Sequence, residues 1–283
     1  MQKLGVSPAY FISAFSDRFT PTDVAGALDD LAAIGYGRFQ LEIFHPESLP
    51  DWEAGGTEAV IRRAKALGLQ CSCFVAHFLL HAFSTAEGIR DEWGIDECRR
   101  VVRMLEKVQC CDTVVVPIPR IEPGPADYLE LWPAFVSKIR SLTEIVAGSG
   151  RRLALEVMPG ALITGSDGFL RLKAAVADDA LGYNFDTGHA WVQGEPVWLI
   201  PGKLGPAVFG THLCDNDSMV NQSFCPGDGT IPWPETMHAL AEAGYAGPLD
   251  VEIKCARSLV GEEYRRALSY LSGLYASGEE VTA

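Results

Sequence analysis

Glu156 in LALEVMP, Asp186 in LGYNFDTGH, His212 in VFGTHLCDN and Glu252 in PLDVEIK each close a short apolar run. Runs of that length are short for a helix and read as strands covered on both faces, the kind found in parallel sheets. A carboxylate there is costly to bury unless something compensates its charge. One such acid is explained by an Arg or Lys partner, whereas four ligand-type side chains at equivalent strand ends point to a shared cation. Three carboxylates and one imidazole suit a single divalent ion, Mn, Co, Mg or Zn, with positions left for water or substrate.

Other polar residues stand at strand ends and carry two readings each. Glu42 in LEIFH could bind a substrate hydroxyl or sit in a structural ion pair, and His77 after FVA could contact substrate or be a satisfied core histidine. His81 is expected at the surface and His238 within a helix. Asp215, three residues after His212, could orient that imidazole from behind or cap the loop that follows. Phe15, Trp191 and Trp233 are candidates to wall a pocket, with core packing as the alternative. Arg120 and Arg257 could receive a phosphate or carboxylate, although neither lies in a glycine-rich cradle. Gly227-Asp228-Gly229 reads as a tight turn in which missing side chains let the backbone approach a ligand, or as an ordinary surface turn.

The elements that must position these residues alternate regularly. Apolar runs place strands near 5–14, 38–44, 69–76, 112–118, 152–158, 181–186, 207–213 and 248–254. Helical patterns lie between them, for example 24–34 before Gly35, 57–67 before Gly68, 92–108, and 128–146 before Gly148, with glycines near their ends as helix C-caps require. Strand and helix alternating eight times predicts an α/β fold, a parallel sheet closed as a (β/α)8 TIM barrel, in one domain over 1–283. Such barrels place their chemistry at the C-terminal ends of the strands, where the four ligand-type residues fall. The small, polar, acidic tail, 276–283, is expected to fray.

Composition narrows the partners. With 48% hydrophobic residues among 283, the chain can fill one large core, and 23 Lys and Arg against 37 Asp and Glu give a formal charge of -14. That charge repels nucleic-acid phosphates and anionic membranes, so a small molecule is the expected partner. The N-terminus has no long apolar segment behind it and no apolar stretch approaches the length of a membrane span, which predicts a cytoplasmic protein. The eight cysteines form no CxxC pair and no zinc-binding spacing, and are expected to be reduced, buried apolar side chains.

The set LEVMPG, NFDTGH, THLCDND followed by PGDGTIPW, and LDVEIK resembles the xylose isomerase-like TIM-barrel superfamily of sugar and sugar-phosphate isomerases and epimerases, in its ketose 3-epimerase and hydroxypyruvate isomerase branch. The resemblance implies that Glu156, Asp186, His212 and Glu252 hold one divalent metal, that Glu156 and Glu252 act as acid and base, and that His189 contacts a substrate oxygen. It also implies a homodimer or tetramer. The related deoxyribonuclease with a trinuclear zinc site needs ligands this chain lacks: Pro117 stands where a histidine would be, and Asn221-Gln222-Ser223 where an Asp-x-His pair would be. An arginine that the epimerases carry after the seventh-strand histidine is replaced here by Asp215-Asn216-Asp217-Ser218.

Isomerising a sugar begins with removal of a proton beside a carbonyl, and two carboxylates on opposite faces of the resulting enediolate can exchange it. The first expectation is therefore a metal-dependent isomerase or epimerase of a small sugar or polyhydroxy ketone. A dehydratase acting on an inosose or dehydroshikimate type of substrate shares the early intermediate, and a silent sugar-binding barrel is a third class that the intact pair of glutamates argues against.

Overall fold

The apolar runs form eight parallel strands, β1 Leu4–Val6, β2 Arg38–Glu42, β3 Gln70–Val75, β4 Thr113–Ile118, β5 Arg152–Val157, β6 Leu181–Asp186, β7 Val208–His212 and β8 Leu249–Val251, in a computed structural model that describes residues 4–124 and 127–281. Their order is β7-β6-β5-β4-β3-β2-β1-β8. The ring closes where β7 meets β8: Leu213 N donates to Asp250 O at 2.8 Å and Glu252 N donates to Leu213 O at 2.9 Å. With helices between successive strands, the fold is the expected (β/α)8 barrel.

Two apolar layers hold it. The inner one is small, with Cys73, Val75, Val115, Ala154 and Phe209 filling the barrel. The outer one lies between strands and helices and contains Val114, Leu153, Leu155, Phe169 and Leu172, all fully buried. Strands buried on both faces explain why the sequence reads as continuous apolar runs without alternation. The sheet also closes tightly at one glycine. Gly5 pairs with Asp250 across β1 and β8, and a Cβ at Gly5 would collide with the Asp250 carboxylate, so only glycine admits that acid to the barrel interior.

Helix limits follow local chemistry. Thr20 and Asp23 form a capping box at the start of Pro21–Ile34, and Gly35 ends it at φ 114°. The patterns expected over 57–67, 92–108 and 128–146 appear as Thr57–Ala66, Ile95–Val108 and Tyr128–Ala147. The first strand is shorter than expected. It stops at Val6, and Ala9–Phe15 is a helix whose buried residues are Ala9, Tyr10 and Phe11. Pro8 has no amide hydrogen and its fixed φ suits a helix start, while a short apolar run cannot by itself separate a buried helix from a strand. The eighth strand is shorter too, so Glu252 lies one residue beyond it. The last helix, Val260–Val281, takes in most of the tail expected to fray; residues 282 and 283 lie outside the described residues, as do 1–3. Among the described residues no helix is long and apolar enough to cross a membrane.

Candidate metal centre at the barrel mouth

Four consecutive strands of the barrel bring the ligand-type residues to one point. Glu156 is the penultimate residue of β5, Asp186 and His212 end β6 and β7 and pair directly across the sheet, and Glu252 follows β8. One ligand atom from each lies within 4.8 Å of the others. His212 stands in the middle: its Nδ1 is 3.2 Å from Glu156 Oε1, 3.0 Å from Glu252 Oε2 and 3.9 Å from Asp186 Oδ2. The three acids and the imidazole are almost wholly buried.

The donor set fits a divalent cation. Asp186 Oδ1 accepts from His189 N at 2.7 Å, whereas Asp186 Oδ2 is buried with no hydrogen-bond partner, an expensive state for a carboxylate oxygen unless a cation meets it. The protonation pattern describes the same negative field. Burial pushes Asp186 up to about 7 against the pull of His189. Burial disfavours charge on His212, but Glu156 and Glu252 outweigh it and hold the imidazole well above its ordinary value. Burial likewise opposes charge on Glu156, and His212 and His189 overcome it to hold the carboxyl well below the usual range. A bound divalent ion would take over the role of the imidazolium protons.

His189 sits on the short helix Thr187–Val192, which Asp186 caps. Its Nε2 lies 3.5 Å from Glu156 Oε1 and 3.7 Å from Asp186 Oδ2. Burial is outweighed by Asp186 and Glu156, and its pKa rises to about 9. On the other side Asn221 Nδ2 faces His189 Nδ1 at 3.1 Å, a contact that suits a neutral ring with its proton on Nε2. A cation among the carboxylates would lower the field that raises the His189 pKa and reconcile the two.

Glu42 and His77, read separately in the sequence, form a pair. Glu42 Oε1 is 3.1 Å from His77 Nδ1, and the His77 ring stacks on Phe44 at 4.0 Å. Glu42 Oε2 is buried without a partner, which leaves one oxygen of the pair for a ligand. Burial works against a charged His77, but Glu42 and then Glu156 outweigh it and raise its pKa.

Asp215 does not touch the His212 ring. Its carboxylate accepts from Asn216 N at 2.9 Å, Gly227 N at 2.9 Å, Ile231 N at 3.1 Å and Trp233 Nε1 at 2.7 Å. The second of its two expected roles is the observed one, and placing it behind His212 is corrected: it ties the long loop after β7 to itself and to the start of the helix Trp233–Glu242. Gly229 belongs to this knot, because a Cβ there would collide with Asp215 Oδ1. Trp233 is fully buried in the same knot and is not a pocket wall. Trp191 donates to Thr230 Oγ1 at 2.8 Å, and Phe15 lies under the Arg257 guanidinium at 5.7 Å. His81 is exposed as expected, and His238 pairs with Glu242 along its helix at 3.2 Å.

The residue behind His212 is Gln40. Its Oε1 is 2.9 Å from His212 Nε2, its Nε2 donates to Asp250 Oδ2 at 2.7 Å, and Ser72 Oγ donates to the same Asp250 oxygen at 2.7 Å. Sequence reasoning missed both Gln40 and Asp250. A signal was present: Gln40 and Glu42 on β2, and Asp250 and Glu252 at β8, are polar at i and i+2, a spacing that puts both members on the inward face.

The xylose isomerase-like TIM-barrel profile matches residues 28–274. The chain belongs to that family. It is 29% identical over 144 residues to an uncharacterized protein of Methanocaldococcus jannaschii, a stretch covering 46% of this chain and 49% of that relative, so the match spans about half of its length. It is 23% identical over 238 residues to the fructoselysine 3-epimerase of Shigella flexneri, covering 80% of this chain and 84% of that enzyme. Among solved structures, a D-tagatose 3-epimerase-like protein superposes with a TM-score of 0.77 at 18% identity, over 99% of this chain and 100% of that one. The IOLI protein, solved with a bound zinc atom, superposes with a TM-score of 0.75 at 17% identity, over 98% and 97% of the two chains. At these identities the superpositions establish the shared fold of this family's barrel.

Proposed function

We propose that the protein is a divalent-metal-dependent isomerase or epimerase of a small sugar or polyhydroxy ketone, working through an enediolate with Glu156 and Glu252 as the acid–base pair. The observation that carries this reading is the position of His212 Nδ1 between Glu156 and Glu252, at 3.2 and 3.0 Å. It brings the two carboxylates, from β5 and from just past β8, to one centre. The fructoselysine 3-epimerase relative supports the reaction class, and we read residues 1–283 as one cytoplasmic catalytic domain.

Glu156, Asp186, His212 and Glu252 would hold the ion, which when bound polarises a carbonyl and adjacent hydroxyl and lowers the cost of negative charge on oxygen. One glutamate takes the proton from the carbon beside the carbonyl and the other returns a proton from the opposite face, help typically worth ~100- to 10,000-fold. His189, with its proton on Nε2, donates toward a substrate oxygen beside Glu156. Glu42, held by His77, offers its free Oε2 to a hydroxyl farther along the chain of the sugar.

The test is to incubate the metal-loaded protein with a panel of ketoses in deuterated water and follow mass and stereochemistry. Solvent deuterium at carbon in a product otherwise unchanged in mass supports the reading. Loss of one water would instead identify a dehydratase, and binding without exchange a silent barrel.

A further inference from the structure

We propose that Cys71, Cys110 and Cys111 form a second metal site at the end of the barrel opposite the carboxylates, where three thiolate sulfurs take one thiophilic cation such as Zn2+, Cd2+ or Cu+. No spacing rule announces this grouping, because it is assembled by two separate elements. Cys71 is the second residue of β3, and Cys110 and Cys111 lie in the turn that precedes β4. Gln109 adopts φ 47° at the end of helix Ile95–Val108 and turns the chain toward β3. Arg151 then fixes the turn, donating from Nε to Cys111 O at 3.2 Å and from Nη2 to Leu105 O at 2.9 Å.

One sulfur from each cysteine lies within 4.8 Å of the others, and Cys110 and Cys111 are 3.8 Å apart. Three sulfurs bound to one ion at about 2.3 Å lie about 3.8–4.0 Å from one another, so a closure of at most about 1 Å completes the set. The three line a cavity of about 370 Å³ with Arg38 and Arg152, which leaves room for a water as a further ligand. Three thiolates with a divalent ion carry a net single negative charge, and the lining, with Arg38, Arg152 and Asp112, carries a net single positive charge to offset it; Arg38 Nε is buried without a hydrogen-bond partner. Binding displaces the thiol protons to solvent.

The mouth ligands are oxygen and nitrogen, so a spectroscopic signature of sulfur separates the two sites. Titrating Cd2+ into the reduced, full-length protein should raise the ultraviolet sulfur-to-cadmium charge-transfer band, to an amplitude that corresponds to one sulfur-bound ion per chain. Cys71→Ser and Cys110→Ser should each lose the band, while Cys255→Ser keeps it. As a check that needs no variant, Cd2+ should shield Cys71 and Cys110 of the wild type from iodoacetamide, with Cys255 alkylated as before. No band in the reduced protein, a band that survives both substitutions, or alkylation indifferent to the ion would overturn the proposal. So would a disulfide within the trio whose reduction restores no cadmium binding. None of these outcomes bears on the carboxylate centre, which is read by deuterium exchange.

Discussion

The amide of Gln40 lies 2.9 Å from His212 Nε2, on the side of the ring away from the carboxylates. Because Gln40 Nε2 is committed to Asp250, its oxygen faces the imidazole, and His212 keeps Nε2 protonated while Nδ1 is turned to Glu156 and Glu252. Outer contacts of this kind are typically worth ~10- to 100-fold in metal affinity. Gln40→Leu is expected to weaken binding of a divalent ion by that order, seen in a competition titration with a chelating dye. Turnover at saturating metal should change far less. Undiminished affinity would remove Gln40 from any positioning role.

Glu156→Gln and Glu252→Gln should each lower turnover by ~100-fold or more while leaving circular dichroism and the unfolding midpoint close to wild type. Asp186→Asn should act earlier, on metal content, because it removes the buried oxygen that has no other partner. Elemental analysis of the purified variants separates these effects. A Glu252→Gln enzyme with wild-type deuterium exchange would defeat the acid–base assignment.

Metal affinity should climb with pH across neutrality. Asp186 is pushed up to about 7, chiefly by burial, and His212 stands well above its ordinary value despite burial because of Glu156 and Glu252. In the metal-free protein both carry protons that an ion must displace. Apparent dissociation constants measured between pH 6 and pH 8, values on either side of the about 7 of Asp186, should fall steadily. A flat profile would mean that these protons are not displaced.

The His77–Glu42 pair makes a stability prediction of definite sign. The pKa of His77 is raised in the folded chain by Glu42, against burial, so the pair's contribution is fully present below the unfolded value of about 6.5 and is lost as pH rises through the folded one. The stability advantage of wild type over Glu42→Gln should therefore be larger at acid than at alkaline pH in urea unfolding. The His77 ring resonance should titrate at lower pH in the variant.

Asp215→Ala removes a buried acceptor from three backbone amides and the Trp233 indole. Stranding such donors costs about 1–3 kcal/mol for each one left unsatisfied, so a loss of roughly 3 kcal/mol or more is expected in urea unfolding. A change below 1 kcal/mol would mean that water replaces the carboxylate.

Much of this architecture was legible in the chain because its signals are local. An apolar run ended by Glu156, Asp186 or His212, a capping threonine and a terminal glycine each act within a few residues, and strand alternation fixes which side chains share a face. The resemblance carried by LEVMPG, NFDTGH and LDVEIK rests on the same short segments. Where length alone had to decide, as for Ala9–Phe15, the apolar run fitted two elements and the expected strand proved to be a helix. Partnerships between strands were not legible. Gln40 meets His212, Glu42 meets His77, and Cys71 meets Cys110 and Cys111 only because sheet register and barrel closure bring distant segments to the same height. Asp215 shows the converse: three residues from His212 in sequence, it turns away to tie down its own loop. Local sequence dictates what each element is and which face it offers, whereas the closed ring decides which faces meet, because that depends on every strand at once.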